Sequence, residues 1–366
     1  MSFGQREEEG VRQGILSRRE LQRGRVKYRR FWGNRWQRAM LASALVLIAL
    51  LAYSLQYYRS QVNGGSSGVS TTVVASQGEG LGQFAAQLVS KRVIQSALVF
   101  KIWLRLHSPV VLQPGTYRFN LESSYANVAA TLGKGPIMDK LTIPDGLTLA
   151  QIAAKVGMLS GHSAQHFLEV ANSGAVRSPF EPSSVNSLEG LLYPNTYVFS
   201  PSTTDASILR MMSDAFVSHA YKLGLTPQTR LDNLSAYQII TVASLVEKEA
   251  SYPGDGNKVA RVILNRLQVH MKLQVDSTVI YALGNDTTHL TAADLGVDSP
   301  YNTYTNYGLP PTPIAIPSES ALQSAMAPAV GNWLYYVVVQ KDGQEAFSST
   351  YAGQLSNEAL ARSRGL

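Results

Sequence analysis

Two glutamates stand two positions apart where an apolar helical pattern ends, and their type and place could support proton transfer. They are Glu247 and Glu249, within the run SAYQIITVASLVEKEAS at residues 235–251. At about 100° of rotation per residue, one face of this segment is an apolar stripe. The stripe comprises Ile239, Val242, Leu245 and Val246. Glu249 continues the stripe, whereas Glu247 stacks on a neighbouring face.

A carboxyl group placed where the pattern expects a core residue is costly to ionise. Its pKa should therefore rise toward the value that a general acid needs at neutral pH. This argument favours Glu249 over Glu247 as a general acid. The alternative is that residues 247–249 are only a solvated helix end, as runs of charge usually are.

The helix that must position these carboxyls has a start signal and a stop signal. Ser235 is followed three residues later by Gln238, which is a capping-box pattern. Pro253 and Gly254 prevent the helix from continuing far beyond residue 251. The sequence therefore predicts one helix over residues 235–251.

The charge of the chain is concentrated at its N-terminus. Of the formal net charge of +7, all is carried by residues 1–38, which hold 11 Lys or Arg against 4 Glu. The rest of the chain has 21 basic and 21 acidic residues. A balanced domain lacks the electrostatic footprint of phosphate-backbone binding, so no nucleic-acid partner is expected.

An uncharged apolar segment follows the basic residues. Residues 39–58, AMLASALVLIALLAYSLQYY, lie between Arg38 and Arg59 and are just long enough to span a bilayer as a helix. The positive-inside rule places residues 1–38 in the cytoplasm and the bulk of the chain outside it. A cleaved signal peptide is the alternative, but the apolar run is longer than a normal h-region and no Ala-x-Ala site follows.

The remaining sequence divides by pattern into a linker and two domains. Residues 59–70 are predicted to be a flexible linker because residues 61–70 are rich in Gly and Ser. Residues 71–138 predict a small α+β unit, either a binding module or a spacer, and residues 139–366 predict a mixed α/β domain.

Several polar and aromatic residues of the larger domain are candidates for a cleft. Alternation over residues 271–281 predicts a strand that presents Gln274, Asp276 and Thr278 on one side. Glu189 and Tyr197 belong to an aromatic segment around a polar turn, where core packing is the commoner role of the rings.

Motif absences exclude several chemistries. The chain has no cysteine, no Gly-rich phosphate loop and no Gly-x-Ser-x-Gly elbow. We therefore expect no cofactor and no metal. An acid facing an extracytoplasmic cleft suggests glycosidic bond cleavage, for which a hydrolase would need a second carboxylate. Asp276, Glu189 and Glu247 are the candidates for that second group.

Several longer motifs, in this order, resemble those of the endolytic murein transglycosylases, or YceG-like family. They are EGLLYPNTY from residue 189, VEKEA at 246–250, NRL at 265–267, LQVDSTVIYALG from 273, and YNTY at 301–304 with GLPPTPIAIP after it. The resemblance implies a membrane anchor at 39–58, a LysM-like module at 71–138 and a catalytic domain at 139–366. It also implies a single-pass protein of the bacterial inner membrane, acting on nascent peptidoglycan glycan strands beside peptidoglycan synthases.

The resemblance further implies a lytic reaction with one acid/base, because the family's catalytic glutamate falls on Glu249. That group would protonate the oxygen between MurNAc and GlcNAc, then deprotonate the MurNAc C6 hydroxyl as it attacks C1. The expected substrate-contact positions are Gln274, Asp276, Thr278, Tyr301, Asn302, Glu189 and Tyr197. The alternatives are a glycan-binding scaffold without activity and a hydrolase that uses Asp276.

The chain departs from the family pattern at four positions. Ser277 stands where a proline often follows the aspartate, and Asn195 replaces an aspartate. Glu345 and Gln354 stand where relatives often carry histidines. Any part those histidines play in relatives is therefore in question for this chain.

Overall fold

A computed structural model describes residues 18–65, 67–107, 109–250, 252–284, 287 and 289–366. Residues 1–17 of the predicted cytoplasmic segment, and Ser251 at the end of the predicted catalytic helix, lie outside the described residues. Contacts between residues divide the chain into two compact units, Met1–Pro136 and Ile137–Leu366. Each unit is described by itself.

The first unit contains one long helix followed by a small α+β arrangement. Its elements are α1 (Arg18–Val62), β1 (Ser70–Ala75), α2 (Leu81–Ser90), α3 (Ala97–His107), β2 (Gly115–Asn120) and α4 (Tyr125–Lys134). Strands β1 and β2 are antiparallel, with Ser70 opposite Asn120 and Ala75 opposite Gly115. The α+β prediction for this part of the chain is confirmed.

Helix α1 contains a stretch, Arg35–Val62, that is long and apolar enough to cross a membrane. It does not end at residue 58, where the uncharged run stops. It continues to Val62 because Tyr58 and Val62 pack against the core of the first unit. Gln61 is also buried, and its Nε2 donates to Gln95 Oε1 at 2.6 Å. The segment predicted to be a flexible linker therefore begins with a docked helical turn.

Alternation along the two strands builds the core of the first unit. Val73 and Ala75 of β1 point inward, as do Tyr117 and Phe119 of β2. The helices cover this face with buried aromatic side chains, namely Phe84, Phe100, Trp103 and Tyr125.

The second unit is rich in helices, and its strands form two-stranded antiparallel sheets. Its elements are β3 (Asp139–Ile143), α5 (Leu149–Val156), α6 (Ala164–Ala171), β4 (Asn195–Phe199), α7 (Asp205–Lys222), β5 (Arg230–Leu231), β6 (Leu234–Ser235), α8 (Ala236–Glu249), α9 (Gly256–Gln268), α10 (Asp276–Leu283), α11 (Glu319–Met326), β7 (Tyr335–Val338), β8 (Glu345–Ser348) and α12 (Tyr351–Ser363). The pairs are β3 with β4, β5 with β6, and β7 with β8. A mixed α+β domain results.

Helix α8 begins where the sequence predicts. Ser235 is its N-cap: Gln238 N donates to Ser235 Oγ at 3.3 Å, and Ser235 N donates to Gln238 Oε1 at 2.9 Å. The helix ends at Glu249 because Ala250 turns to an extended conformation. This local sequence therefore fixes where Glu249 emerges from the helix.

Helix α8 lies in the middle of the core of the second unit. Every residue from 236 to 246 except Gln238 is buried, including Thr241 and Ser244. Their hydroxyls are satisfied by the backbone, since Thr241 Oγ1 donates to Tyr237 O and Ser244 Oγ donates to Thr241 O. Over this length only Gln238 of the helix is exposed, and Glu247 and Glu249 follow at the edge of the core.

The strand predicted over residues 271–281 is wrong. Residues 271–275 are irregular, and α10 begins at Asp276. Local alternation is overridden by a distant partner: Gln274 N donates to Thr303 O at 3.1 Å and Val275 N to Thr303 Oγ1 at 3.0 Å. Thr278 Oγ1 then donates to Val275 O at the start of the helix.

Candidate functional site

Glu249 is held by side chains from two other elements. Ser277 Oγ, in the first turn of α10, donates to Glu249 Oε1 at 2.8 Å. Tyr336 OH, on β7, donates to Glu249 Oε2 at 3.0 Å. Each carboxyl oxygen therefore has one hydroxyl partner, and the side chain is only partly exposed.

The surroundings of Glu249 favour its protonated form. Burial raises the pKa of Glu249 above its ordinary value, and the nearby Asp276 carboxylate raises it further. The hydrogen bonds from Ser277 and Tyr336 oppose this shift, because they stabilise the ionised form. The net direction is upward, as a general acid requires.

Glu247 occupies a different environment two residues earlier. Its Oε2 accepts a hydrogen bond from Ser318 N at 2.9 Å, and Ser318 is the N-cap of α11. Burial raises the pKa of Glu247 as well. The position of Glu249 on the apolar stripe therefore does not by itself distinguish the two glutamates as acids. Their partners lie in different elements: Glu247 is bound by the amide and hydroxyl of Ser318 at the start of α11, whereas Glu249 is bound by hydroxyls of α10 and β7.

Tyr336 and Glu345 lie on the same face of the hairpin formed by β7 and β8. Tyr336 is opposite Phe347, and Val338 is opposite Glu345, so alternate residues face the same way. Burial raises the pKa of the Tyr336 hydroxyl well above its ordinary value, and the charge of Glu249 raises it further. Tyr336 therefore remains a neutral hydrogen-bond donor.

Glu345 is a second buried carboxyl near Glu249. Its pKa is raised to about 8, first by burial, then by the charges of Asp255 and Glu249, while Lys258 opposes the shift. Glu345 N donates to Asp255 Oδ2 at 3.1 Å, and its own Oε2 has no hydrogen-bond partner. The sequence identified Glu345 only as a departure from the family pattern, and nothing local in it signals this placement.

Arg266 of the NRL motif braces the loop that precedes α10. Its guanidinium is buried and donates to Leu273 O and, at 2.7 Å, to Leu334 O. It also lies over the Tyr335 ring, 5.5 Å from the centroid. Arg266 therefore ties α9 to the segments that carry Ser277 and Tyr336.

Asp276 and Gln274 are two predicted substrate-contact residues that are exposed to solvent where the chain leads into α10. Asp276 begins α10, is exposed, and accepts a hydrogen bond from Tyr304 OH. Gln274 is exposed as well, with a positive φ of 50° that its backbone bond to Thr303 supports. Both lie within three residues of Ser277, at the rim of the site.

Thr278 and Asn302 are fully buried, contrary to their predicted contact with substrate. Thr278 Oγ1 bonds to Val275 O and Thr303 Oγ1. Asn302 Nδ2 donates to Leu295 O at 3.0 Å and to Val297 O at 2.8 Å. These side chains order the loops around the site and offer a ligand no surface.

Ser277 also lines a cleft of about 440 Å³. The other lining residues are Thr148, Ala150, Gln151, Ala154, Glu189, Lys248, Ile280, Tyr281, Gly284 and Ile314. Ser277 therefore contacts the Glu249 carboxyl and also lines this open cleft.

Glu189 is the buried acid of this cleft. Its Oε1 accepts from Leu149 N and its Oε2 from Tyr281 OH, both at 2.9 Å. Burial raises the pKa of Glu189 to about 7, while those hydrogen bonds oppose the shift. Tyr301 packs against Tyr281 with ring centroids 4.8 Å apart.

Tyr197 is a core residue. Its ring is buried on β4, and its hydroxyl donates to Tyr193 O at 2.5 Å. Of the predicted site residues, Asp276 lies near Glu249, and Glu189 lines the adjoining cleft. Gln274 is exposed on the segment that leads into α10.

The fold and the site together define an α+β domain with one partly buried glutamate held between a capped helix end, a second helix and a hairpin. Comparison with known proteins agrees with this class. The sequence model of the YceG-like family matches residues 73–359. The chain belongs to the YceG-like family.

Individual relatives cover most of the chain. It is 29% identical over 289 residues to the endolytic murein transglycosylase of Bacillus subtilis strain 168, covering 75% of this chain and 79% of that protein. It is 30% identical over 349 residues to the endolytic murein transglycosylase of Streptococcus pneumoniae D39, covering 85% of this chain and 63% of that longer protein.

A solved structure is similar as well. The crystal structure of a YceG-like protein from Listeria monocytogenes superposes with a TM-score of 0.54 at 31% identity. The match covers 79% of this chain and 99% of that one.

Proposed function

We propose that this chain is a membrane-anchored lytic transglycosylase that cleaves the MurNAc–GlcNAc bond of nascent glycan strands. Glu249 is its single general acid/base. The observation that carries the proposal is the placement of Glu249, partly buried and held by Ser277 and Tyr336. The names of the Bacillus and Streptococcus relatives support murein as the substrate.

The proposed reaction uses one carboxyl group twice, first as an acid and then as a base. Protonated Glu249 gives its proton to the glycosidic oxygen, and the bond from that oxygen to C1 of MurNAc breaks. The Glu249 carboxylate then takes the proton from the C6 hydroxyl, whose oxygen bonds to C1. The products are a 1,6-anhydroMurNAc end and a free GlcNAc hydroxyl, and no water is consumed.

Hydroxyl partners suit a group that changes its charge twice. A hydroxyl can donate to a carboxylate and can rotate to accept from a carboxylic acid. Ser277 and Tyr336 can therefore follow both states of Glu249 without moving the backbone.

Sugar rings are proposed to occupy the rim and the adjoining cleft. Asp276 and Gln274 would contact the strand next to the scissile bond, and Glu189 and Tyr301 would shape the cleft in which Ser277 takes part. Glu189 would form part of the wall of that cleft, with a pKa raised to about 7 by burial.

The N-terminal part is proposed to hold the enzyme at its substrate. Helix α1 would cross the bacterial inner membrane with residues 1–38 in the cytoplasm, and the second unit would lie outside beside peptidoglycan synthases. The strand–helix–helix–strand order from β1 to β2 supports a LysM-like module over residues 71–138.

Product analysis tests this proposal. Purified full-length protein is incubated with uncrosslinked glycan strands, and the new ends are identified by mass spectrometry. We expect anhydro ends from the wild type and from Asp276→Asn. Reducing ends that vanish in Asp276→Asn would instead establish a hydrolase with Asp276 as its second carboxylate. Strand binding without any cleavage would establish a scaffold.

A further inference from the structure

Helix α3 of the first unit has an exposed apolar stripe. Leu98, Ile102 and Leu106 follow one another at four-residue spacing and are 65%, 47% and 72% exposed. Residues four apart lie on one face of a helix, so the three side chains form a continuous row. The opposite face of α3 is buried in the core through Phe100 and Leu104.

Basic side chains accompany this stripe. Lys101 and Arg105 lie on the same side of α3, between and beside the apolar residues. The helix, ALVFKIWLRLH, contains no acidic residue. Apolar side chains bordered by Lys and Arg are the pattern of helices that lie in the interface of an anionic membrane.

The start of α3 lies beside the end of α1. Gln61, in the last turn of α1, is hydrogen-bonded to Gln95 at 2.6 Å. Tyr125 OH donates to Ser96 O at 3.2 Å and to Gln61 Oε1 at 3.4 Å, which joins the same two segments. Gln61 is three residues beyond the uncharged run, a rise of about 4.5 Å. The first turn of α3 is therefore fixed next to the point where α1 would leave the bilayer.

We propose that α3 lies on the outer surface of the membrane, with Leu98, Ile102 and Leu106 inserted among the lipids and Lys101 and Arg105 near anionic headgroups. This inference rests on the proposed anchoring by α1. The docked end of α1 and the absence of acidic residues on α3 favour a lipid surface as the occupant of this face, over a second copy of the chain or another protein. The first unit would then have one orientation on the membrane.

Single-cysteine labelling of the full-length chain tests the contact, because the natural sequence contains no cysteine. The variants Ile102→Cys, Leu45→Cys and Val330→Cys are each labelled with an environment-sensitive fluorophore. Each protein is reconstituted into vesicles of phosphatidylcholine and phosphatidylglycerol, with and without brominated lipids. Leu45 lies in the apolar part of α1, and Val330, 96% exposed in the second unit, is the aqueous control.

We expect brominated lipids to remove most of the fluorescence at positions 45 and 102 and little of it at position 330. If position 45 is not quenched, the anchoring itself is wrong. If position 45 is quenched while position 102 is quenched only by aqueous iodide, anchoring stands and the α3 contact is wrong. Shielding of position 102 from both quenchers would also overturn it, since protein would then cover α3.

The charge contribution has its own test. Lys101→Gln with Arg105→Gln, or vesicles of phosphatidylcholine alone, should reduce lipid quenching at position 102 and leave position 45 unchanged. Quenching at position 102 that is insensitive to both changes would overturn the part of the proposal that assigns headgroup contact to these two residues.

Discussion

Glu247 and Glu249 share one helix end and yet have contrasting environments. The Glu247 carboxyl is bound by a single residue, Ser318, through its backbone amide at 2.9 Å and its side-chain hydroxyl. The Glu249 carboxyl accepts from Ser277 and Tyr336, whose hydroxyls can donate or accept. Burial raises the pKa of both glutamates. A raised pKa therefore does not distinguish the two glutamates. They differ in that both oxygens of Glu249 are bound by hydroxyls of two other elements, whereas Glu247 is bound at the start of α11 alone.

Removing the tyrosine partner should have the largest effect among the supporting residues. Tyr336→Phe leaves Glu249 Oε2 without its donor in a partly buried place. Loss of a hydrogen bond to an ionised group costs about 1.5–3 kcal/mol, or roughly tenfold to a hundredfold in rate. The rate of anhydro-end formation measures this loss. Tyr335→Phe on the same strand is the matched control, and an equal loss there would show a structural effect of the hairpin.

Removing the serine partner should shift the pH dependence. Ser277 lowers the pKa of Glu249 through its hydrogen bond, so Ser277→Ala should raise that pKa. The acid form then persists to higher pH, and the alkaline limb of the kcat/KM profile should move upward. A lower rate with an unmoved limb would mean that Ser277 only shapes the cleft. The expected loss of rate is smaller than for Tyr336→Phe, about tenfold or less.

Glu345 gives a prediction for stability. Its folded pKa of about 8 lies above the ordinary value of 4.5, so between these pH values the folded state holds a proton that the unfolded state has released. Stability from this group is therefore present below about pH 4.5 and declines as pH rises toward 8.

Glu345→Gln removes that dependence. We expect the variant to be more stable than the wild type at pH 8, by on the order of a few kcal/mol, in thermal unfolding of the full-length protein. Glu319→Gln, at an exposed position of α11, should change little. A Glu345→Gln variant less stable than the wild type at pH 8 would show that an ionised Glu345 contributes to the fold.

Glu247 should affect stability with little effect on activity. Glu247→Ala leaves the partly buried Ser318 N without its acceptor, at a cost of about 1–2 kcal/mol. Cleavage by the folded variant should stay within about threefold of the wild-type rate, because the loss of about 1–2 kcal/mol lowers the free energy of unfolding and leaves the site intact. Chemical denaturation and the cleavage assay on the same preparation separate the two effects.

Local signals predicted the start of the central helix and failed for the loop that completes the site. The capping box of Ser235 and Gln238 needs only neighbouring residues, so it could be found in the sequence. The strand predicted around Asp276 was wrong because Thr303, 28 residues after Val275, holds that segment. Alternation of side chains carries no information about such a partner.

The partners of Glu249 could not be found by spacing either. Tyr336 is 87 residues after Glu249 and arrives through the pairing of β7 with β8. Glu345 is brought close by the same hairpin. Resemblance to a family predicts Glu249 as the catalytic glutamate, and the tertiary structure shows which side chains surround it.

The central claim is that Glu249, and not Glu247, transfers the proton. The most direct measurement compares the rate of anhydro-end formation by Glu249→Gln and Glu247→Gln on the same glycan strands. We predict that Glu249→Gln loses activity by about 10²–10⁴-fold or more, while Glu247→Gln stays close to the wild type. Loss of activity in Glu247→Gln with activity retained in Glu249→Gln would contradict this account.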